Sequence, residues 1–275
     1  MPELPEVETT RKGLMQLVQG AKIKSVDVYW PRIIAGEKTE DDFSIALENE
    51  TIHQIGRRGK FLLFYLDHWT LISHLRMEGK YEVVSSEEPL KVHSHVVFHL
   101  EDGRDLRYLD VRKFGRMALV PLNKENDYPG IQKLGPEPTK EKFELNLFKT
   151  NLKKHKKAIK PLLLDQTLVT GLGNIYVDEA LFEAKIHPLR AANQLSDEEI
   201  RSLHQAIISV LGRAVEAGGT TIRTYKNALG EAGKFQLALK VYGQTGEPCP
   251  TCGRPIKKMT VAQRGTHFCA YCQPE

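Results

Sequence analysis

No cysteine occurs before position 249 of this 275-residue chain; all four fall in the last 27 residues. A disulfide framework for the body of the chain is thereby excluded. Long apolar runs are also missing, and no stretch approaches the roughly 20 residues a bilayer-crossing helix needs. The start lacks the charged and apolar regions of a secretory leader, so a cytoplasmic location is expected. Neither sign of charge prevails: 39 Lys and Arg against 35 Asp and Glu leave +4. That mild excess permits a nucleic-acid partner without demanding one. There is no internal repeat and no low-complexity tract, which argues against solenoids and disordered tails. What is left is ordinary globular composition, 41% hydrophobic and 27% charged, in a chain long enough for two domains with separate cores.

The late cysteines form two Cys-x-x-Cys pairs, Cys249/Cys252 and Cys269/Cys272, separated by sixteen residues. In a reducing compartment this spacing points to one four-thiolate zinc site. Between the pairs, Met259–Val261 and Thr266–Phe268 read as strands, with Gln263, Arg264 and Gly265 as the turn. So small a hairpin has almost no core, and the metal must supply its folding energy.

From about 21 to 121 the texture is β. Short runs such as KFLLFYL, TLISHLR, KYEVV, SHVVFHL and RMALV are separated by turn residues, with one helix-like insert, DDFSIALEN. About eight such strands suggest a sandwich or barrel. Residues 122–140, rich in Pro, Gly, Asn and charge, read as a linker. Beyond them the texture is helical. Ser196 and Glu199 stand at capping-box spacing before IRSLHQAIISVLGRAV. Lys153, Lys154, Lys156, Lys157 and Lys160 form a basic cluster heading a helix, either a solvated face or a phosphate-contacting one. Asn174 is the expected N-cap after the glycine turn of GLGNIY. Residues 217–234 carry four glycines and no clear period, which suits a functional loop.

The opening MPELPEVETT is unusually stiff for a terminus. Pro5 suits a first helical turn, and Glu3 and Glu6 suit its dipole. Leu4, Val7, Leu14, Leu17 and Val18 then mark one apolar face of a helix over about 4–19. Those rules leave Pro2 unexplained.

PELPEVET, RRGKFL at 57–62, HLRMEGKY at 74–81, DVRKFG at 110–115, GLGNIYVDEALF at 171–182 and CPTCG…RGTHFCAYCQ follow one another along the chain. Together they resemble the bacterial formamidopyrimidine-DNA glycosylase family. The resemblance implies an α+β fold. An N-terminal catalytic β-sandwich flanked by helices would span 1–133, a helical helix-two-turn-helix DNA-binding domain 134–239, and a four-cysteine zinc-finger β-hairpin 240–275. It also implies a bifunctional glycosylase and abasic-site lyase of base excision repair. The partner would be double-stranded DNA carrying oxidised purines, with no membrane, and the working unit a nucleoid-associated monomer.

On this resemblance Pro2 is the nucleophile, once the initiator methionine is trimmed. Its secondary amine gives an iminium with no N–H to lose, so the electron sink stays charged. An α-amine, titrating near ~8 against ~10.4 for lysine, is free base about a tenth of the time at neutral pH. Glu3 is the implied acid/base partner and Glu6 a similar electrostatic one, with plain dipole stabilisation the alternative for both. Lys60 is implied in the β-elimination pathway and Arg264 in δ-elimination. Met77, Arg112 and Phe114 are implied to fill the hole left by the extruded base; core packing is the alternative for Met77 and Phe114. His74, His93, Lys156 and Asn174 are implied phosphate contacts. The resemblance implies that the 217–234 loop closes over the extruded base, where Thr220, Thr221, Thr224 and Tyr225 offer donors and acceptors; Glu78 is a further candidate to face the base pocket. Two other readings stay open: the sister endonuclease preferring oxidised pyrimidines, and a non-catalytic zinc-finger nucleic-acid-binding protein. The latter would explain the cysteines and lysines but not Pro2, Glu3 and Lys60.

Overall fold

The computed structural model describes residues 1–36, 38–220 and 233–275. Contacts divide the chain into two compact units. One comprises 1–132 with 218–233; the other comprises 133–217 with 234–275.

The first unit opens with helix α1 (Leu4–Val18), whose buried residues Leu4, Val7, Leu14 and Val18 form the expected stripe. Eight strands follow: β1 (Ile23–Val28), β2 (Gln54–Arg58), β3 (Phe61–Tyr65), β4 (Trp69–His74), β5 (Lys80–Ser85), β6 (Ser94–Leu100), β7 (Arg104–Leu109) and β8 (Arg116–Pro121). Helix α2 (Glu40–Leu47) lies between β1 and β2 and starts at Thr39, whose hydroxyl accepts from the Asp42 N–H. The strands form two antiparallel sheets, ordered β1-β6-β7-β5 and β2-β3-β4-β8. One core joins them: Val26, Phe98 and Tyr108 of the first sheet pack with Ile55, Phe64 and Leu71 of the second, with Val7 and Leu14 of α1, and with Phe43 of α2. This is the expected sandwich flanked by helices. It excludes the barrel, because the sheets share no strand pairing.

The stretch expected as a linker is partly structured. A 3₁₀ turn over Glu125–Asp127 and a short helix α3 (Pro129–Gln132) follow β8. Ile131 and Tyr128 cover the outer face of the second sheet, against Leu63, Ile72 and Ala118. The Tyr65 hydroxyl donates to Glu125, 3.0 Å away. Polar composition hid this role because two apolar side chains suffice to cover so small a patch.

The second unit is built on helices α4 (Leu145–Lys153), α5 (Ile159–Leu164), α6 (Asn174–Glu183) and α7 (Asp197–Glu216). Helix α6 is buried from Tyr176 through Phe182, whereas α7 is amphipathic. Ser196 caps α7 as expected: its hydroxyl accepts from the Glu199 N–H, and the Glu199 carboxylate accepts from the Ser196 N–H. The unit closes with the hairpin β9 (Lys257–Val261) and β10 (Arg264–Phe268). Its small core sets Phe182 of α6 against Val241, Cys249, Ile256 and Cys269.

Candidate active site and nucleic-acid interface

Pro2, Glu3 and Glu6 are all buried at the head of α1. The Glu6 carboxylate does two things at once. One oxygen accepts from the Glu3 N–H at 2.8 Å and the other from the Thr220 N–H at 2.7 Å. A carboxylate at a helix N-terminus is electrostatically favoured, but here it also ties the N-terminus to the root of the 217–234 segment. Gly219 permits the approach. It sits at φ +78°, and a Cβ there would lie 2.9 Å from the Glu6 carboxylate. Thr221, Thr224 and Tyr225 lie outside the described residues.

Lys60 stands in the two-residue turn Gly59–Lys60 between β2 and β3, closed by the pair Arg58↔Phe61. Gly59 supplies the positive φ, +56°. Lys60 is only 6% exposed, so it is not the surface lysine that a polar turn suggests. Helix α1 runs antiparallel to β2. Met15 Sδ accepts from the Ile55 N–H, Arg11 donates to the Ile55 carbonyl, and Glu8 pairs with Arg57 at 3.0 Å. Each step toward the start of α1 is thus a step toward the turn that carries Lys60. Burial raises the Glu8 carboxyl, but hydrogen bonds and charge from Arg11 and Arg57 outweigh it and hold Glu8 below the usual carboxylate range. Arg57 in turn donates to the Gly59 carbonyl at 2.8 Å, fixing the turn.

His74 pairs with Phe61 across β3 and β4, and its ring meets the Phe61 ring edge-on at 4.6 Å. Burial, then the nearby Arg76 and Lys60 charges, push its pKa down to about 3. Its Nδ1 accepts from the Arg76 N–H at 3.0 Å. The ring is therefore neutral, with its proton on Nε2 and available to an acceptor such as a phosphate oxygen.

Two loops converge on one tyrosine. Gly79 follows the Met77 turn and Gly115 ends the Arg112–Phe114 turn. A Cβ on either would collide with the Tyr108 hydroxyl, at 2.2 Å and 1.8 Å. Glycine at both positions lets the two loops, one carrying Met77 and the other Arg112 and Phe114, close over Tyr108. Met77 is half-buried, Arg112 is exposed, and Phe114 is 47% exposed. Core packing is thus excluded for Phe114. Its ring carries the Arg112 guanidinium 4.9 Å from its centroid.

Sequence reasoning missed the residue that shapes this loop. Asp110 is buried, and its carboxylate accepts from the N–H groups of Arg112, Phe114 and Gly115 at 2.8–3.0 Å. Its carbonyl accepts from His95 Nε2 at 2.8 Å. The signal was present in DVRKFG, an Asp two residues before a turn. His93 is exposed at φ +73°, and its carbonyl accepts from the Asp110 N–H. Glu78 is exposed on the Met77 turn, with nothing to set it facing a base.

In the second unit, Asn174 is not the N-cap. Gly173 caps α6 and Asn174 is its first residue. The glycine takes the extended cap conformation, and the Asn174 amide instead donates to the Gly265 carbonyl of the hairpin at 2.8 Å. The basic cluster is not one surface either. Lys153 and Lys154 end α4, Lys156 and Lys157 are exposed in the following loop, and Lys160 is fully buried in α5. Lys160 Nζ donates to Asp178 at 2.6 Å and to the Thr266 hydroxyl at 2.8 Å. The other Asp178 oxygen accepts from the His267 N–H at 2.9 Å. The neighbouring Glu179 carboxylate accepts from the N–H groups of Lys240, Val241 and Tyr242, each at 2.9 Å. Two adjacent acids of α6 thus grip the zinc-finger region at two points. Arg264 is exposed as the first residue of β10 and pairs with Val261. The turn is Ala262–Gln263, one residue earlier than expected, with φ of +45° and +61°.

The four cysteine Sγ atoms lie within 4.8 Å of one another, with Cys249–Cys272 at 3.9 Å and Cys252–Cys269 at 3.5 Å. A tetrahedron with Zn–S bonds of 2.3 Å has edges of about 3.8 Å, so the donor set fits zinc. The Thr251 N–H points to Cys249 Sγ and the Cys272 N–H to Cys269 Sγ, contacts that favour thiolates. As a cluster of thiols the site resists ionising: burial and then the neighbouring cysteines push Cys272 up to about 12. Zinc must displace those protons to bind.

Among the described residues no helix is long and apolar enough to cross a membrane. Family models match three successive segments: the formamidopyrimidine-DNA glycosylase N-terminal domain over 1–117, the H2TH domain of the same enzyme over 134–226, and a zinc finger found in FPG and IleRS over 246–274. The chain is 63% identical over 273 residues to the formamidopyrimidine-DNA glycosylase of Enterococcus faecalis, covering 99% of this chain and 97% of that protein. It is 54% identical to that of Bacillus subtilis, covering 99% of each. A solved complex of a Lactococcus lactis FPG variant with Fapy-dG-containing DNA superposes with TM-score 0.95 at 48% identity, over the full length of both chains. A second Lactococcus lactis complex, with DNA containing an abasic site, also gives 0.95 at 48% identity. The helical unit therefore contains a helix-two-turn-helix domain, and the four cysteines hold one structural zinc ion.

Proposed function

From the premise that the chain belongs to the formamidopyrimidine-DNA glycosylase family, and is thus a DNA glycosylase of base excision repair, we propose how its own residues divide the work. Pro2, freed of Met1, attacks the anomeric carbon of the damaged nucleotide. A C–N bond forms and the glycosidic bond breaks; the oxidised purine leaves with a proton. Opening of the sugar yields an iminium on the proline nitrogen. That cation acidifies the C2′–H, and its loss expels the 3′ phosphate; a second elimination expels the 5′ phosphate. The covalent intermediate divides one hard step into easier ones.

Glu3 moves protons to and from the sugar. Glu6 holds the N-terminus in place through the Glu3 N–H. Lys60 serves the β-elimination, and Arg264 fixes the 5′ phosphate as a permanent cation. His74, His93, Lys156 and Asn174 contact phosphates; His74 acts as a neutral donor. Met77, Arg112 and Phe114 fill the space of the extruded base, Arg112 facing the orphaned partner. One chain carries every one of these groups, which supports a monomer working on double-stranded DNA. Residues 1–133, 134–239 and 240–275 serve as catalytic, DNA-gripping and zinc-finger segments.

The observation that carries the reading is the junction at Glu6. A buried carboxylate connects the candidate nucleophile's segment with the segment in which the family's base-closing loop begins. The zinc hairpin alone would suit a binding protein; a buried carboxylate that fixes the segment carrying Pro2 favours an enzyme. The test is a panel of duplexes carrying single oxidised purines, oxidised pyrimidines or an abasic site. Release of 8-oxoguanine and formamidopyrimidines ahead of oxidised pyrimidines is expected. Pyrimidines processed first would favour the sister endonuclease, and binding without cleavage would sink the enzymatic assignment of these residues.

A further inference from the structure

We propose that Trp30 is a positioning residue for the void-filling loop, its indole ring holding the Lys113 ammonium and thereby the presentation of Arg112 and Phe114. The inference rests on the void-filling role given to those two residues.

The loop backbone is set by Asp110, whose carboxylate takes three of its N–H groups. Backbone bonds leave one residue in an uncomfortable state. Lys113 lies between Arg112 and Phe114 at φ +57°, a region costly for a side chain with a Cβ. Such a conformation persists where surroundings over-determine it, and Trp30 is such a partner for the Lys113 side chain. Its Nζ sits 4.1 Å from the centroid of the Trp30 ring, well inside cation–π range, and tryptophan is the best aromatic acceptor for it.

Trp30 is suited to serve as a fixed post. It follows β1 and precedes the 3₁₀ turn Pro31–Ile33, and it packs against the sandwich core. The Tyr29 N–H donates to the His95 carbonyl at 2.9 Å, while His95 Nε2 donates to the Asp110 carbonyl at 2.8 Å. The segment bearing Trp30 and the root of the loop therefore share His95. Charge crowds this corner: Arg32 also faces the Trp30 ring at 5.7 Å, and Arg112 sits on Phe114. Parking the Lys113 ammonium on Trp30 gives the middle cation a site apart from Phe114, which Arg112 occupies. Arg112 is then free to leave Phe114 when a partner base becomes available.

A simpler role for Lys113 would be a direct phosphate contact. Single-turnover kinetics on two substrates, a duplex with a paired oxidised purine and one with a pre-formed abasic site, separates the two. Lys113→Met and Trp30→Leu should each slow excision of the paired lesion by about two- to fivefold, the worth of one partly exposed cation–π contact. Cleavage at the abasic site should keep its rate, and the double variant should be no slower than either single one. Lys113→Arg and Trp30→Phe should recover most of the loss, which also guards against misfolding of Trp30→Leu. Independent multiplying effects, equal slowing on both substrates, or a wild-type rate in Lys113→Met would overturn the inference. Phe114→Ala run alongside tells the two failures apart. If it shows no selective loss on the paired lesion, the void-filling reading itself fails; if it does while Lys113→Met and Trp30→Leu match wild type, only the Trp30 role fails.

Discussion

A histidine kept neutral by burial has a consequence for acid stability. The folded pKa of His74 is about 3, against ~6.5 for an unfolded histidine. The unfolded chain therefore binds this proton first as pH falls. The stability that comes from keeping the ring neutral is fully present above pH ~6.5 and is lost between that value and about 3. His74→Gln is expected to flatten the acid limb of the unfolding free energy between pH 6 and 4, by up to about 1.4 kcal/mol per pH unit. Denaturant titrations across that range check it; an unchanged slope would mean that the ring is solvated. At this scale the sequence was informative where chemistry is intrinsic to a residue type, as for the cysteines. It was uninformative where tertiary contacts redefine a residue. Lys160 stands in a run of lysines and nothing local marks it as buried, because its partner Asp178 lies 18 residues on. Asp110 was missed although its place before the turn in DVRKFG was visible, because its grip on three N–H groups depends on the loop closing over Tyr108.

Elements were legible to within a residue or two wherever periodicity carried them. All eight sandwich strands match alternating or apolar runs, since each has one face on a shared core. The misplacements have physical causes. Ala262–Gln263 makes the hairpin turn with two positive φ values where glycine or asparagine is usual, because β10 is held in register from outside, by Asp178 on His267 and Lys160 on Thr266. This arrangement predicts a sharp asymmetry. Asp178→Ala strands a fully buried ammonium and should destabilise the second unit by about 3–5 kcal/mol. Lys160→Met combined with Asp178→Leu should recover much of that loss. Differential scanning calorimetry of the variants checks both, and a double variant worse than Asp178→Ala would show that the pair contributes more than mutual neutralisation. For the zinc finger, Cys249→Ala or a strong chelator should unfold the hairpin locally and leave α7 and the sandwich folded. Mass spectrometry should find one zinc per native chain, and DNA affinity should collapse with its loss. Because thiols must ionise to bind the metal, zinc retention should weaken as pH falls.

At the scale of the whole molecule, the proposed roles fall on segments far apart in sequence. On that proposal the head of α1 supplies the nucleophile, the β2–β3 turn Lys60, the loops at 76–79 and 110–115 the side chains for the vacated helix, and the zinc hairpin Arg264. The family resemblance suggested those residues from motifs alone. The connections Glu6 to Thr220, Glu8 to Arg57 and Trp30 to Lys113 join residues that no local pattern relates. The central claim is that the amine of residue 2 attacks the sugar, and borohydride trapping followed by peptide mapping tests it most directly. With a duplex carrying an oxidised purine, reduction should give one covalent protein–DNA adduct. Its mass should map to Pro2 at a processed N-terminus, and Pro2→Gly or retained Met1 should lose most base excision. An adduct mapped to Lys60 or another lysine, or full-speed excision with Met1 still attached, would contradict the account.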